Sequence, residues 1–320
     1  MTLEFETPRE FETLTDANAR CMFAGQMNRL PYLLVALLTA VAPLCAQTRW
    51  RLEWSDDFDG PANSAPDQSK WTYDLGAGGW GNHELEVYTD LRQNSFLDGK
   101  GNLVIRAQGS ASGGYTSARL KTQGKFSTAY GKIEARIKIP YGQGIWPAFW
   151  MLGSDIDSIG WPACGEIDVM ENIGREPLLN HGSLHGPGYP AEGITERYEL
   201  PDHRPYHEAF HVFTIEWAPA KIEFFVDGVR YESVTPGSMP AKAKWMFDHP
   251  FFILLNFAVG GDWPGNPDSS TVFPQEMLVD YVRVWKPVQP ELNGPPPRFG
   301  LPGAKLSTCL KDAHARCSGF

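Results

Sequence analysis

The sequence of 320 residues has little cysteine and no surplus of positive charge. Its five cysteines are too few and too scattered for a framework of disulfides, which excludes the small cystine-rich scaffolds. Lys and Arg number 28 against 38 Asp and Glu, giving a formal net charge of -10. Proteins that bind nucleic acid or an anionic membrane surface through charge normally have the opposite balance. We therefore expect no nucleic-acid partner.

A long apolar run is also missing. Residues 30–44 form an uncharged stretch of 15 residues, whereas a transmembrane helix needs about 20. The stretch follows Arg29 and ends at Cys45 and Ala46, which is the pattern of a secretory signal peptide with its cleavage site. We therefore predict a pre-sequence at residues 1–46 with the signal peptide at 27–46, no membrane span, and a secreted or periplasmic location.

Signals for long helices are scarce after residue 50, and a period of two recurs instead. Polar and apolar residues alternate over residues 132–139, 213–217 and 222–226. The last of these leads into Asp227-Gly228, a strong signal for a two-residue hairpin turn. With 32 glycines and 26 prolines to form turns, the sequence predicts many short antiparallel strands arranged as a two-sheet sandwich.

The chain is predicted to contain one such domain, at residues 47–287. The continuous apolar run at 251–257 is typical of a strand buried on both faces, and residues 279–285 are expected to form the last strand. Prolines then become frequent, so residues 288–320 are predicted to be a Pro-rich tail. The sequence contains 11 Trp, more than a core of this size needs, and indole rings suit a surface that binds sugars.

Acidic residues are concentrated at residues 165–172. On a regular strand Glu166 and Asp168 would share one face, while Glu171 would point to the other face with Ile167. Burying an unpaired carboxylate among apolar groups is costly. One extra residue at positions 169–170, a β-bulge with Met170 as the bulged residue, returns Glu171 to the face of the other two acids.

This arrangement has a chemical meaning. With the bulge, Glu166 and Glu171 lie four strand steps apart, about 13 Å between Cα atoms. Side chains that lean together would bring the carboxyl groups to about 5–6 Å, near the separation used by retaining glycosidases. An acidic, solvent-exposed strand face and a Ca²⁺ or Mg²⁺ site are the alternatives.

Seven motifs in order, including this one, resemble those of family 16 glycoside hydrolases, laminarinase-like (endo-1,3-β-glucanases). The acidic segment EIDVME, residues 166–171, resembles the bulged catalytic signature of that family. The similarity covers roughly residues 50–286 and includes GWGNHELEVYT (79–89), SARLKT (117–122), YGKIEAR (130–136), WPAFWM (146–151), NFAVGG (256–261) and VDYVRV (279–284).

The resemblance implies an all-β fold, a concanavalin-like β-jelly-roll sandwich of two antiparallel sheets with a concave substrate groove. It implies Glu166 as nucleophile, Glu171 as acid/base and Asp168 as their assistant. The expected reaction is hydrolysis of β-1,3-glucan by a secreted retaining endo-glycosidase. The alternatives are a hydrolase of mixed-linkage β-glucan or of a marine galactan, a glucan transglycosylase, or a non-catalytic sugar-binding module.

The resemblance also implies groups that bind the polysaccharide. Stacking on sugar rings is expected of three tryptophans, although each of them could instead pack in the core, Trp150 above all. Polar contacts with sugar are expected of four further residues, of which Glu84 could alternatively pair with Arg119 and His185 could be structural. These candidates are Trp146, Trp150, Trp161, Asn82, Glu84, Arg119 and His185.

No catalytic cofactor is expected, because no His pair or Cys/His cluster has ligand spacing. The resemblance implies a structural Ca²⁺ away from the groove, with Asp280 as the carboxylate and Gly101 as a backbone carbonyl donor. An ordinary surface ion pair at Asp280 is the alternative. Cys164 is expected to be a buried small residue, with a disulfide to Cys309 or Cys317 left open. The protein is expected to be a monomer.

Overall fold

The computed structural model describes residues 48–110 and 113–288. The predictions for the pre-sequence and for residues 289–320 therefore lie outside the described residues, as do Cys309 and Cys317. Within the described ranges, strands dominate, and the one α-helix, α1 (Ile156–Ile159), has a single turn. Three short 3-10 turns lie at Gly79–Gly81, Tyr206–Glu208 and Pro236–Ser238. None of the helices described is long and apolar enough to cross a membrane.

Seventeen strands are present in the described part of the chain. They are β1 (Trp50–Asp56), β2 (Thr72–Asp74), β3 (Glu86–Tyr88), β4 (Ser95–Leu97), β5 (Leu103–Gly109), β6 (Tyr115–Ser117), β7 (Arg119–Lys121), β8 (Gly131–Lys138), β9 (Ile145–Gly153), β10 (Glu166–Glu171), β11 (Leu179–His185), β12 (Ile194–Glu199), β13 (His211–Ala218), β14 (Lys221–Val226), β15 (Val229–Val234), β16 (Phe251–Val259) and β17 (Gln275–Pro287).

The strands form two sheets. The larger has ten strands, in the order β15-β14-β13-β8-β17-β5-β6-β3, with β1 on β17 and β4 on β5. The smaller has seven, in the order β12-β11-β10-β9-β16-β7-β2. Neighbours pair antiparallel in both sheets, except that β3 runs parallel to β6. The predicted jelly-roll sandwich is confirmed, with this one parallel pair as a departure from purely antiparallel sheets.

One apolar core lies between the two sheets, and period-two alternation produces it. In β8 the buried side chains of Ile133, Ala135 and Ile137 alternate with the more exposed Lys132 and Arg136, as the sequence predicts. The hairpin between β14 and β15 turns at residues 227–228, again as predicted. The continuous run at β16 is buried at all nine positions because one face contacts the core and the other forms the floor of a groove.

The predicted bulge is present in β10. Asp168 is opposite Trp150 of β9, and Met170, not Val169, is opposite the next residue, Phe149. The side chains of Val169 and Met170 are both buried in the core, at 1% and 0% exposure. Two successive apolar residues therefore point inward, and Glu171 returns to the outer face of the sheet.

Deleting residues from the bulge should separate its two roles. Deletion of Met170 turns β10 into a regular strand that keeps Glu171 on the outer face, so the cost is the lost core side chain. We expect the free energy of unfolding to fall by about 2–5 kcal/mol. Deletion of both Val169 and Met170 forces Glu171 into the core and should cost more or prevent folding. Urea unfolding of the two deletion variants provides the comparison. Equal losses of stability would contradict this account of the bulge.

Candidate functional site

A groove of about 660 Å³ crosses the outer face of the seven-stranded sheet. Its walls include side chains from six neighbouring strands, from Arg119 of β7 to Arg197 of β12. Five strand spacings correspond to a length of about 24 Å. The acids of β10 lie on the fourth of these strands, so the groove extends to both sides of them. Such a shape fits an extended chain better than a compact ligand.

The three predicted acids come together in the middle of this groove. Glu166 and Glu171 are half-buried, and Asp168 between them is 2% exposed. The stretch of β10 from Glu166 to Glu171 pairs with the stretch of β9 from Leu152 to Ala148, which is only four residue steps long. The bulge thus sets the four-step spacing that the sequence predicts.

Each outer carboxyl group is held by one indole. Trp161 Nε1 donates a hydrogen bond to Glu166 Oε2 at 2.8 Å, and Trp146 Nε1 donates one to Glu171 Oε1 at 3.0 Å. Trp146 lies on β9, whereas Trp161 precedes β10 and is 60% exposed. One oxygen of each carboxyl is therefore fixed, which orients the other.

Burial dominates the proton equilibria of the three acids. It raises the pKa of Glu166 to about 8; the Asp168 carboxyl adds to this rise, and the His185 imidazole opposes it. Burial likewise raises the pKa of Asp168 to about 8. It raises the pKa of Glu171 well above its usual range, with Asp168 contributing. Three full charges so close together in a poorly solvated groove are unfavourable, so protons are retained and shared near neutral pH.

His185 is part of the same cluster. Its Nε2 atom lies 3.2 Å from Asp168 Oδ2. Donor atoms of Glu166, Asp168 and His185 lie within 4.8 Å of one another. Among the described residues, this is the group of three His, Cys, Asp or Glu side chains whose donor atoms come close enough to share a metal ion. Two carboxylates and an imidazole could hold a metal ion, and this donor set suits a transition metal better than Ca²⁺.

The three candidate tryptophans all line the groove. Core packing is the main alternative for Trp150. The pleat of β9 sends Phe149 and Met151 into the core between the sheets and turns Trp150 to the groove face, where it packs against a small buried cluster that includes Leu152. Its ring is half-buried, and its Nε1 donates to Asn256 Oδ1 at 2.7 Å. Stacking of these rings on sugar stays a prediction.

Asn82, Glu84 and Arg119 meet at the β7 side of the groove. Asn82 Nδ2 donates to Glu84 Oε1 at 3.2 Å. Arg119 does not pair with Glu84, because it forms an ion pair with Asp74 at 2.9 Å. Its guanidinium also lies over the rings of Trp80 and Trp150, at 5.0 and 4.7 Å from their centroids. Of the two roles predicted for Glu84, a groove residue or a partner of Arg119, the structure has the first.

Several lining residues were not among the sequence candidates. Trp80 and Asn256 lie in the quoted motifs 79–89 and 256–261, and those motifs could have indicated them. His181 shares the outward face of β11 with His185, two pleats away, and period two could have indicated it. Trp263, whose ring contacts Trp146 edge-on at 5.3 Å, and Arg197 lack any such signal.

The contacts of Asp280 and Gly101 give little support to the predicted calcium site. The Asp280 carboxylate accepts a hydrogen bond of 2.6 Å from Arg136, which is the surface ion pair weighed as the alternative. In the described residues no cluster of three acidic or imidazole donors forms around Asp280. Gly101 has a φ of 85°, and an added Cβ there would lie 3.7 Å from Asp59 Oδ1. Cys164 is a buried free thiol, as expected.

Comparisons with known proteins agree with this geometry. The family model "Glycosyl hydrolases family 16" matches residues 82–283. The chain is 42% identical over 254 residues to the β-glucanase of Rhodothermus marinus, covering 75% of this chain and 86% of that protein. It is similar in structure to the laminarinase catalytic domain from Thermotoga maritima, at 46% identity and a TM-score of 0.70, covering 75% of this chain and 99% of that one. The endo-β-1,3-glucanase from Pyrococcus furiosus matches at 49% identity and a TM-score of 0.70, covering 76% and 97%.

Proposed function

The chain belongs to family 16 of the glycosyl hydrolases, and from this premise we propose that it is a retaining endo-1,3-β-glucanase. The observation that carries the chemistry is the bulged strand β10, which places Glu166, Asp168 and Glu171 side by side in a groove. The β-1,3 linkage rests on the similar proteins, which are named laminarinases and endo-β-1,3-glucanases. Cleavage within a chain follows from the groove, which extends to both sides of the acids.

In the first step Glu166 acts as nucleophile and Glu171 as acid. The Glu166 carboxylate forms a bond to the anomeric carbon while the glycosidic C–O bond breaks and the Glu171 proton goes to the leaving oxygen. The high pKa of Glu171 keeps that proton available near neutral pH. The contact between Asp168 and Glu166 lowers the pKa of Asp168 and raises that of Glu166, so the proton that the two share passes from Glu166 to Asp168 before Glu166 attacks.

In the second step the roles of Glu171 reverse. Its carboxylate takes a proton from water, whose oxygen attacks the anomeric carbon and releases Glu166. Two displacements at one carbon return the original configuration.

A substrate panel tests the proposed function. We expect reducing ends to be released from laminarin, with internal cuts giving a mixture of oligosaccharides from the start, and little release from agarose. Lichenan and added acceptor sugars test the mixed-linkage and transglycosylase alternatives in the same assay. Cleavage of agarose alone would overturn the substrate assignment and leave the mechanism in place. Binding of laminarin without cleavage would favour a sugar-binding module.

Azide rescue tests the two catalytic roles separately. Glu171→Ala should lower kcat on laminarin by about 10²–10⁴-fold, because general acid catalysis is lost. On an aryl β-laminaribioside, azide should attack the glycosyl-enzyme of this variant and give the β-azide. In Glu166→Ala azide replaces the nucleophile in a single displacement and should give the α-azide. The reverse pattern, read by NMR of the products, would exchange the two assignments.

A structural Ca²⁺ at Asp280 and Gly101 remains a proposal on the strength of the family resemblance, against the competing contact of Arg136. Binding would stabilise the folded state, so EDTA should lower the Tm and Asp280→Asn should remove that effect. A Tm that EDTA leaves unchanged would contradict it.

Export is likewise a proposal, based on the sequence of residues 27–46. Amino-terminal sequencing of the secreted protein should give a sequence that begins at Gln47.

A further inference from the structure

A second group of acids lies at the β7 side of the groove, away from β10: Glu84 lines the groove, and Glu86 lies behind it. Glu86 of β3 is 1% exposed. Its Oε2 atom accepts a 2.7 Å hydrogen bond from the backbone N–H of Val259, and the N–H of Leu85 donates to the Val259 carbonyl at 2.8 Å. The Glu86 side chain thus continues the backbone pairing and ties β3 to the end of β16.

The other oxygen of Glu86 has an unusual environment. Among the residues that the structure describes, no N–H or O–H group donates to Glu86 Oε1, although the atom is buried. The carboxyl of Glu84, itself only 9% exposed, is the group within hydrogen-bonding reach. Two carboxylates in contact in a buried place repel each other, and a proton between them turns the repulsion into a hydrogen bond.

The electrostatics agree with a neutral Glu86. Burial raises its pKa to about 8, and the charge of Glu84 adds to the rise. The nearby groups that titrate or carry charge are Glu84, Tyr88 and Arg119. Burial raises the pKa of Tyr88 well above its usual range, so it stays neutral. Arg119 is paired with Asp74, which reduces the charge it can offer to the acid pair.

Hydrogen bonds lead from this pair to the groove. Glu84 accepts from Asn82 Nδ2 at 3.2 Å and from the Tyr88 hydroxyl at 3.2 Å. The Tyr88 oxygen in turn accepts from Asn256 Nδ2 at 3.0 Å. Asn256 Oδ1 then accepts from Trp150 Nε1 at 2.7 Å. Both ends of the branched chain, Asn82 and Trp150, line the groove.

We propose that Glu86 is a positioning residue, which as a neutral carboxyl donates a hydrogen bond to Glu84 and thereby fixes Asn82 and Trp150 for binding the sugar. The binding part rests on the proposed function, whereas the hydrogen-bond network does not. Loss of the Glu86 proton places a second negative charge against Glu84 and loosens the groove wall. The β7 side of the groove therefore binds glucan more weakly at alkaline pH.

Oligosaccharide affinity measures this effect without catalysis. Glu166→Gln serves as an inactive background, and its Kd for laminaripentaose is measured by calorimetry from pH 6 to pH 9. Proton loss with a pKa of about 8 leaves about a tenth of the molecules competent at pH 9, so we expect Kd to rise about tenfold between pH 7 and pH 9. Adding Glu86→Gln, which keeps a donor and an acceptor, should hold Kd at pH 6 and remove most of the rise. Groups that titrate elsewhere in the groove affect both proteins alike.

Glu232 provides a matched control. It is a Glu on β15 whose pKa burial also raises to about 8, and it does not line the groove. Glu232→Gln in the same background should leave the rise in Kd intact. Glu86→Leu, which has no donor, should raise Kd about tenfold at pH 6. A rise that survives Glu86→Gln, or an affinity at pH 6 that Glu86→Gln reduces as much as Glu86→Leu does, would overturn the proposal.

NMR provides a readout that needs no sugar. The Trp150 indole N–H signal, assigned through Trp150→Phe, should titrate with a midpoint near pH 8 in Glu166→Gln, and adding Glu86→Gln should abolish that step. This measurement stays valid for a protein that cannot fold with Leu at position 86. A Glu166→Gln protein that does not bind laminaripentaose but shows this step would contradict the proposed function and support the network. Binding without the step would contradict the network alone.

Discussion

The active groove depends on the packing of two successive apolar side chains. Val169 and Met170 both enter the core, at 1% and 0% exposure, and β10 uses one residue more than β9 across the same length. Burial of two such side chains stabilises the fold by several kcal/mol at about 1.5–3 kcal/mol each. That packing energy holds Glu171 on the groove side. A requirement of the core thus fixes the spacing of the two carboxyl groups that the chemistry uses.

Acids held close together in a buried place repel one another, and the protein reduces this repulsion in two places in similar ways. Glu166, Asp168 and Glu171 share protons and receive indole N–H donors at both ends. At the other side of the groove, Glu84 and Glu86 share a proton and receive donors from a Tyr, an Asn and a backbone amide. In both places burial raises the pKa, so neutral carboxyl groups act as donors. In the proposed function the first set performs the chemistry, and the second holds side chains that line the groove.

Period-two alternation and one unfavourable buried charge were enough to predict β8, β13 and β14, the two-sheet class and the bulge in β10. Both are local properties of a strand, so the sequence contains them directly. The partners of Arg119 and of Asp280 could not be predicted in this way. Asp74 and Arg136 reach them through pairing of β2 with β7 and of β8 with β17, strands that are far apart in the chain. Trp263 likewise joins the groove through a contact with Trp146 that tertiary folding brings about.

The position of Trp150 follows from the alternation of side chains along β9. A large aromatic residue between Phe149 and Met151 resembles a core residue by composition. The same pleat that buries those two neighbours must turn Trp150 to the opposite face. On that face its indole N–H needs an acceptor, and Asn256 of the adjacent strand β16 supplies it. Asn256 in turn needs an acceptor for its own amide, which Tyr88 provides. Each polar group on this half-buried face thus needs a hydrogen-bond partner, and the chain of partners ends at the buried acid Glu86.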